Sequence, residues 1–158
     1  MDFDTLYKTQ FCDLEKFCLK WTGNIDIARD ITQESFTKLL QKTTSSALII
    51  DNPKAWVYKV AYNDCINHIK FSKRFTPIET IANHSIIENT DKSSNTERLL
   101  QVQNALTKLN NKEKALIILY KYGFTYNEMA NVIEMNPASV GKTLTRAIDK
   151  IAKLINKI

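Results

Sequence analysis

Hydrophobic residues recur along this chain at helical intervals rather than in alternation. Phe3, Leu6, Tyr7, Phe11, Leu14, Phe17, Cys18 and Trp21 fall three and four apart, which predicts an amphipathic first helix. The "TGN" at Thr22–Asn24 ends it. A second helix is predicted from about Ile25 or Asp26 to Lys42, with Ala28, Ile31, Ser35 and Leu39 along its inner stripe. "TTSSALIID", Thr43–Asp51, breaks the pattern and reads as a loop. Asn52 as cap and Pro53 in the first turn then open a third helix, which carries Trp56, Val57, Val60 and Ala61 and reaches about Phe71–Lys73.

From Phe75 to Thr96 the periodicity fades into a polar, mildly acidic stretch that reads as a linker. Helical patterning resumes at Glu97–Leu109, Asn111–Tyr122, Tyr126–Glu134 and Pro137–Ile158. The expected fold is all-α. Two small helical modules, residues 1–74 and 97–158, are joined by a flexible linker, residues 75–96. There is no internal repeat and no strong strand signal.

The second module contains an abrupt break. Thr125 and Glu128 form a T-x-x-E capping box before a helix with Met129, Ala130, Val132 and Ile133 inside. After Glu134–Asn136 a second helix begins at Pro137, with Val140, Leu144, Ala147, Ile148, Ile151 and Leu154 packed. Two readings fit this stretch. It is a helix-turn-helix whose second helix meets the DNA major groove, or it is an ordinary packing hairpin.

Composition narrows the choice. Three glycines among 158 residues exclude a phosphate-binding glycine loop, and no paired-carboxylate, Ser/His/Asp or metal-ligand set is evident. No enzyme activity and no cofactor is expected. Cys65 and His68 lie three apart, but no second pair completes a four-ligand zinc site, so the three cysteines read as reduced core thiols. No apolar run is long enough for a membrane span, and the first ten residues are acidic where a secretory leader is basic. A cytoplasmic protein without membrane insertion is expected. The net charge of +5 is uneven: +2 over residues 1–74, −2 over 75–106 and +5 over 107–158. The basic end favours a polyanion.

Two stretches of the first module carry a family resemblance. "ARDITQESFTKLL" (Ala28–Leu40) and "NPKAWVYKVAYNDCINHIKFSKR" (Asn52–Arg74) resemble region two of bacterial RNA polymerase sigma factors, in the extracytoplasmic-function (ECF) group. The matching positions are Ala28, Asp30, Gln33, Phe36, Trp56, Val57, Tyr58, Lys59, Val60, Ala61 and Asn63. "LTKLNNKEKALIILYKYGFTYNEMANVIEMNPASVGKTLTRAIDKI" resembles region four of the same family.

The resemblance implies a transcription initiation factor that binds core RNA polymerase and directs promoter recognition and melting. Asp30, Gln33, Glu34, Phe36 and Thr37 would dock the clamp of the largest polymerase subunit, though Phe36 also reads as core. The flap of the second-largest subunit is a further implied partner. Trp56, Lys59, Tyr62, Asn63, Asn67, Lys70, Lys73 and Arg74 would meet the minus-ten element, Trp56 with a second reading as core. The loop Thr43–Asp51 matches the segment that traps a flipped base, but it carries "ALII" where the family has a polar set.

Asn136, Ser139, Lys142, Thr143 and Arg146 would meet the minus-thirty-five element. The turn position holds Glu134 where the family often has Gly, and Gly141 and Thr143 replace an expected Lys and Arg. Without a bidentate arginine, direct base reading is expected to be weak. An anti-sigma protein or another recruiting factor is a further partner the resemblance allows. The alternative is a stand-alone helix-turn-helix regulator, which explains the basic second module but not the "DITQESF" and "AWVYKVAYN" blocks.

Overall fold

The computed structural model describes residues 2–75 and 95–156. Every regular element among them is a helix: α1 Phe3–Thr22, α2 Ile25–Ser45, α3 Pro53–Phe75, α4 Asn95–Thr107, α5 Asn111–Lys121, α6 Tyr126–Ile133 and α7 Pro137–Asn156. The chain divides into two compact units, Met1–Ser85 and Ile86–Ile158. Of the expected linker, residues 76–94 lie outside the described residues.

Unit one is a bundle in which α1, α2 and α3 each pack on the other two. Local chemistry sets its corners. Asp2 Oδ1 accepts from the Thr5 N–H at 2.7 Å and starts α1. Gly23 ends it at φ 65°, with its N–H donating to the Leu19 carbonyl at 2.9 Å. That left-handed conformation suits glycine because no Cβ meets the preceding carbonyl. Asn24 Oδ1 then accepts from Asp26 and Ile27 N–H groups and opens α2.

α2 runs to Ser45, one turn beyond the expected Lys42. Thr43, Thr44 and Ser45 have modest helix propensity, hence the loop reading. Their hydroxyls donate back to the carbonyls of Leu39, Leu40 and Gln41, so each polar side chain is satisfied by the backbone of the preceding turn. The loop is therefore residues 46–52. Asn52 Oδ1 accepts from the Ala55 N–H at 3.0 Å, so α3 is capped where expected.

The centre of unit one is an aromatic chain. Phe17 lies edge-on to Trp21 at 6.2 Å and to Tyr58 at 5.3 Å, and Trp21 meets Tyr62 at 5.4 Å. Cys18 and Cys65 are fully buried beside it, but Cys12 is exposed, so only two of the three thiols belong to the core. Contact with the Cys18 thiol, reinforced by burial, holds Cys65 protonated far above the usual thiol range. The buried stripe of α2 is Ala28, Thr32, Ser35, Phe36 and Leu39. Thr32 replaces the expected Ile31, since its hydroxyl is satisfied by the Ala28 carbonyl at 2.7 Å.

In unit two α7 is the spine, and α4, α5 and α6 each pack against it. Asn110 and Glu113 form a reciprocal capping box at the start of α5, as do Thr125 and Glu128 at α6. Gly123 takes φ 80° in the turn between them. Glu134 ends α6 in the left-handed region, φ 55° and ψ 56°, with its N–H donating to the Ala130 carbonyl. Val140, Leu144 and Ala147 of α7 close the core with Leu116, Leu119, Met129, Val132 and Ile133. No helix among the described residues is long and apolar enough to cross a membrane.

Candidate functional surfaces

The polar face of α2 is intact. Asp30, Gln33, Glu34 and Thr37 are all exposed. At 100° per residue they span about a third of the helix circumference. The Thr37 hydroxyl donates to the Gln33 carbonyl at 2.9 Å, so it presents lone pairs rather than a proton. Two ion pairs bracket the face and fix its orientation. Arg29 Nε meets Glu15 at 3.0 Å on the α1 side. Lys38 Nζ meets Asp64 at 2.9 Å on the α3 side, with Glu34 at 4.0 Å. The Glu15 hydrogen bond raises the Arg29 guanidinium above its ordinary value.

Phe36 does not join that face. It is 1% exposed, and its ring touches Phe3, Tyr7 and Phe11 of α1. Its position on α2 is one step toward the core from Gln33 and Thr37, so it clamps α1 to α2 instead.

On α3, Trp56, Lys59, Asn63, Asn67, Lys70 and Lys73 fall within an arc of about 120° at 100° per residue. Asn63, Asn67, Lys70 and Lys73 are exposed, while Trp56 and Lys59 are half-buried. Lys42, from the last turn of α2, sets its Nζ 5.6 Å from the centre of the Trp56 ring. Trp56 is thus neither plain core nor freely exposed. Tyr62 is 7% exposed, packs on Trp21, and has its phenol raised above its ordinary value by burial. It is a core residue, which corrects its expected place on the surface. The Arg74 side chain lies outside the described residues.

In unit two, Ser139, Lys142, Thr143 and Arg146 span about 100° of α7, opposite the buried Val140, Leu144 and Ala147. Ser139, Lys142 and Arg146 are exposed and Thr143 is half-buried. Asn136, also exposed, spends its Oδ1 on the Ala138 N–H at 3.0 Å. The Thr143 hydroxyl donates to the Ser139 carbonyl at 2.8 Å. Of the five expected contacts, two therefore carry internal hydrogen bonds, and the two cations are exposed. Gly141 faces Tyr126, whose Cε2 lies 3.4 Å from where a Cβ would stand.

Three interactions escaped the sequence reading because they join residues far apart in the chain: Lys38 with Asp64, Lys42 with Trp56, and Lys150 with Glu113 at 2.6 Å. Opposite charges at such separations give no local signal. Glu113 is buried, and the Lys150 hydrogen bond pulls its carboxyl below the ordinary 4.5, helped by the Asn110 N–H against the opposing effect of burial.

Residues 7–75, covering nearly all the described part of unit one, match the family description "Sigma-70 region 2". Over 164 residues the chain is 24% identical to the ECF RNA polymerase sigma factor SigM of Bacillus subtilis (strain 168), covering 99% of this chain and 97% of SigM. The RNA polymerase sigma factor YlaC of the same organism is 22% identical, with 98% and 92% covered. Among solved structures, the sigma factor RpoE in complex with the anti-sigma factor NepR, from Bartonella quintana, shares the fold at a TM-score of 0.70 and 20% identity, covering 98% of this chain and 97% of RpoE. CnrH in complex with the cytosolic domain of CnrY gives a TM-score of 0.65 at 18% identity, with 98% and 88% covered.

Proposed function

Because this chain belongs to the ECF group of RNA polymerase sigma factors, we propose that it binds core RNA polymerase through unit one and carries both units to promoter DNA. It acts as a transcription initiation factor, with no catalytic step of its own. The observation that carries the reading is the division of unit one into two separate faces. α2 offers an exposed acidic and amide face at Asp30, Gln33, Glu34 and Thr37. α3 offers an exposed amide and lysine face at Asn63, Asn67, Lys70 and Lys73. The first suits a basic protein surface, and the second suits phosphates and unpaired bases.

The assignment follows from that chemistry. The α2 face docks the clamp of the largest polymerase subunit, with Phe36 holding the face in place from behind. The α3 face, with the loop at residues 46–52, meets the minus-ten element as it opens. Trp56 supplies an aromatic surface next to the Lys42 cation. The α7 stripe of Ser139, Lys142, Thr143 and Arg146 meets the minus-thirty-five element, mostly through phosphates. The flap of the second-largest subunit is the partner we assign to unit two, and an anti-sigma protein is a partner of the kind seen with RpoE.

The decisive experiment adds the purified chain to core RNA polymerase and measures promoter-dependent RNA synthesis from duplex template. Complex formation and new transcripts are expected. An Asp30→Ala, Gln33→Ala, Glu34→Ala triple variant should lose complex formation while keeping its helical melt. Tight duplex binding with no polymerase complex would instead identify a stand-alone regulator.

A further inference from the structure

The loop between α2 and α3 exposes its apolar side chains to an unusual degree. Leu48 is 65% and Ile49 88% exposed, well above the 43% of Ile25 and Leu40, the other exposed large aliphatic residues of the unit among those described. The loop is nonetheless pinned at both ends. The Ser46 N–H and hydroxyl both donate to the Lys42 carbonyl, at 3.3 and 2.7 Å. Asn52 accepts the Trp56 N–H at its carbonyl and the Ala55 N–H at its side chain, both at 3.0 Å. Lys42 over the Trp56 ring draws the two anchors together. Two exposed aliphatic side chains therefore stand on an arch whose two anchoring helices carry a cation and an aromatic ring. Those two groups are what single-stranded DNA uses, one for its phosphate and one for its base.

The four side chains from Ala47 to Ile50 hold no hydrogen-bond donor or acceptor. These side chains are blind to the amino and carbonyl groups that distinguish most bases, which leaves any polar contact to the loop backbone. They discriminate on apolar substituents alone, and thymine, through its 5-methyl group, is the base that carries one. We propose that Leu48 and Ile49 select thymine at the unpaired position this loop meets, by covering that methyl. The proposal rests on the reading above that the loop faces an unpaired promoter base. The Lys42 and Trp56 pair on the helices that anchor the arch, and the exposed Asn63, Asn67 and Lys70 further along α3, favour DNA over an apolar protein segment as the occupant.

The test uses holoenzyme assembled from the full chain and core polymerase. Active promoters are first selected from a randomised duplex library. Each non-template thymine of the melted segment is then replaced, one at a time, by deoxyuridine, which removes only the methyl. One position should lose about fourfold in open-complex formation, the discrimination expected when a single methyl worth ~0.8 kcal/mol is no longer buried. At that same position, 5-methylcytosine should outperform cytosine by a similar factor. A Leu48→Ala, Ile49→Ala variant should melt at an unchanged temperature, because both side chains are exposed, and should treat thymine and deoxyuridine alike.

Failure can be located. If no promoter is selected and no transcript forms, the sigma-factor reading itself falls and the proposal with it. If promoters are selected but no position senses the methyl, or the double variant senses it undiminished, the thymine proposal alone is overturned. Loss of polymerase assembly by the double variant would make the arch a protein contact and would equally overturn it.

Discussion

The two units bury different materials, and the difference governs how their surfaces can be read. Unit one fills its centre with Phe17, Trp21, Phe36, Tyr58 and Tyr62. In unit two Phe124 is the one buried aromatic residue among those described, and the other buried hydrophobic residues are aliphatic, alanine or Met129. Large rings reach across a bundle, so a ring whose Cα lies at the edge of a helix face still ends in the core. Short aliphatic side chains cannot, and burial then follows the helical angle closely. Aromatic residues in unit one are for that reason poor guides to its surface, whereas position along α7 is a good guide in unit two.

The sharpest break of this comparison is Phe36→Ala. Removing a fully buried ring should cost unit one about 3–5 kcal/mol, read as a lower melting temperature of that unit, while the helical melt of unit two stays put. Phe36→Leu should restore most of the stability and, with it, polymerase binding. A docking role for the ring would instead leave Phe36→Leu stable and unable to bind.

The next effect belongs to unit two. Glu113→Ala removes a cap bond and the Lys150 pair together and should cost about 2 kcal/mol, with Glu113→Gln costing about half, because Lys150 is half-exposed and screened. The Glu113 carboxyl is depressed in the folded state. Its contribution is therefore fully present above the ordinary 4.5 and is lost as pH falls through the lower folded value. Acid unfolding of the wild type should show this loss, and Glu113→Gln should flatten it.

Smaller still is the effect on DNA. Lys142→Ala with Arg146→Ala should weaken duplex binding about tenfold and by the same factor across sequences, lowering the salt slope by about two. A loss concentrated at one base pair would show that α7 reads sequence directly. The smallest changes concern the turn. Glu134→Gly should stabilise unit two by about 0.5–1 kcal/mol, since the left-handed conformation ceases to strain a side chain. Gly141→Ala should add up to about 1 kcal/mol, because the new Cβ only reaches contact with the half-exposed Tyr126 ring. Thermal melting reports both.

Much of this architecture was legible from periodicity alone, and the reasons for the exceptions are physical. Asn52, Thr125 and Asn136 announce helix starts because capping is a local interaction, whereas Asn24 reads only as the end of α1 although it also caps α2. The last turn of α2 was missed because Thr43, Thr44 and Ser45 are weak helix formers whose hydroxyls make the turn viable only once it exists. Tyr62 was read as a surface residue because it sits among lysines and asparagines, and only Trp21, forty-one residues earlier, reveals its burial. Cys12 was grouped with two core thiols although its helical position points outward. Ser139, Lys142, Thr143 and Arg146 share one side of α7 because they fall three and four apart, away from the aliphatic face of Val140, Leu144 and Ala147. Glu134 was flagged as an unusual turn residue, but its left-handed conformation needed coordinates.

The pair between Lys150 and Glu113 also sets a length. Lys150 falls on the same angular stripe of α7 as Arg146, one turn further on, and would extend the run of free positive charge. Bound at 2.6 Å to a buried carboxylate, it is already neutralised by its own protein. The usable stretch therefore runs from Ser139 to Arg146, about 10 Å of helix axis. A duplex rises about 3.4 Å per base pair, so under the proposed minus-thirty-five contact that stretch would face roughly three of them. On that proposal the buried Glu113 acts as a ruler, shortening the free basic stripe of α7 from the inside.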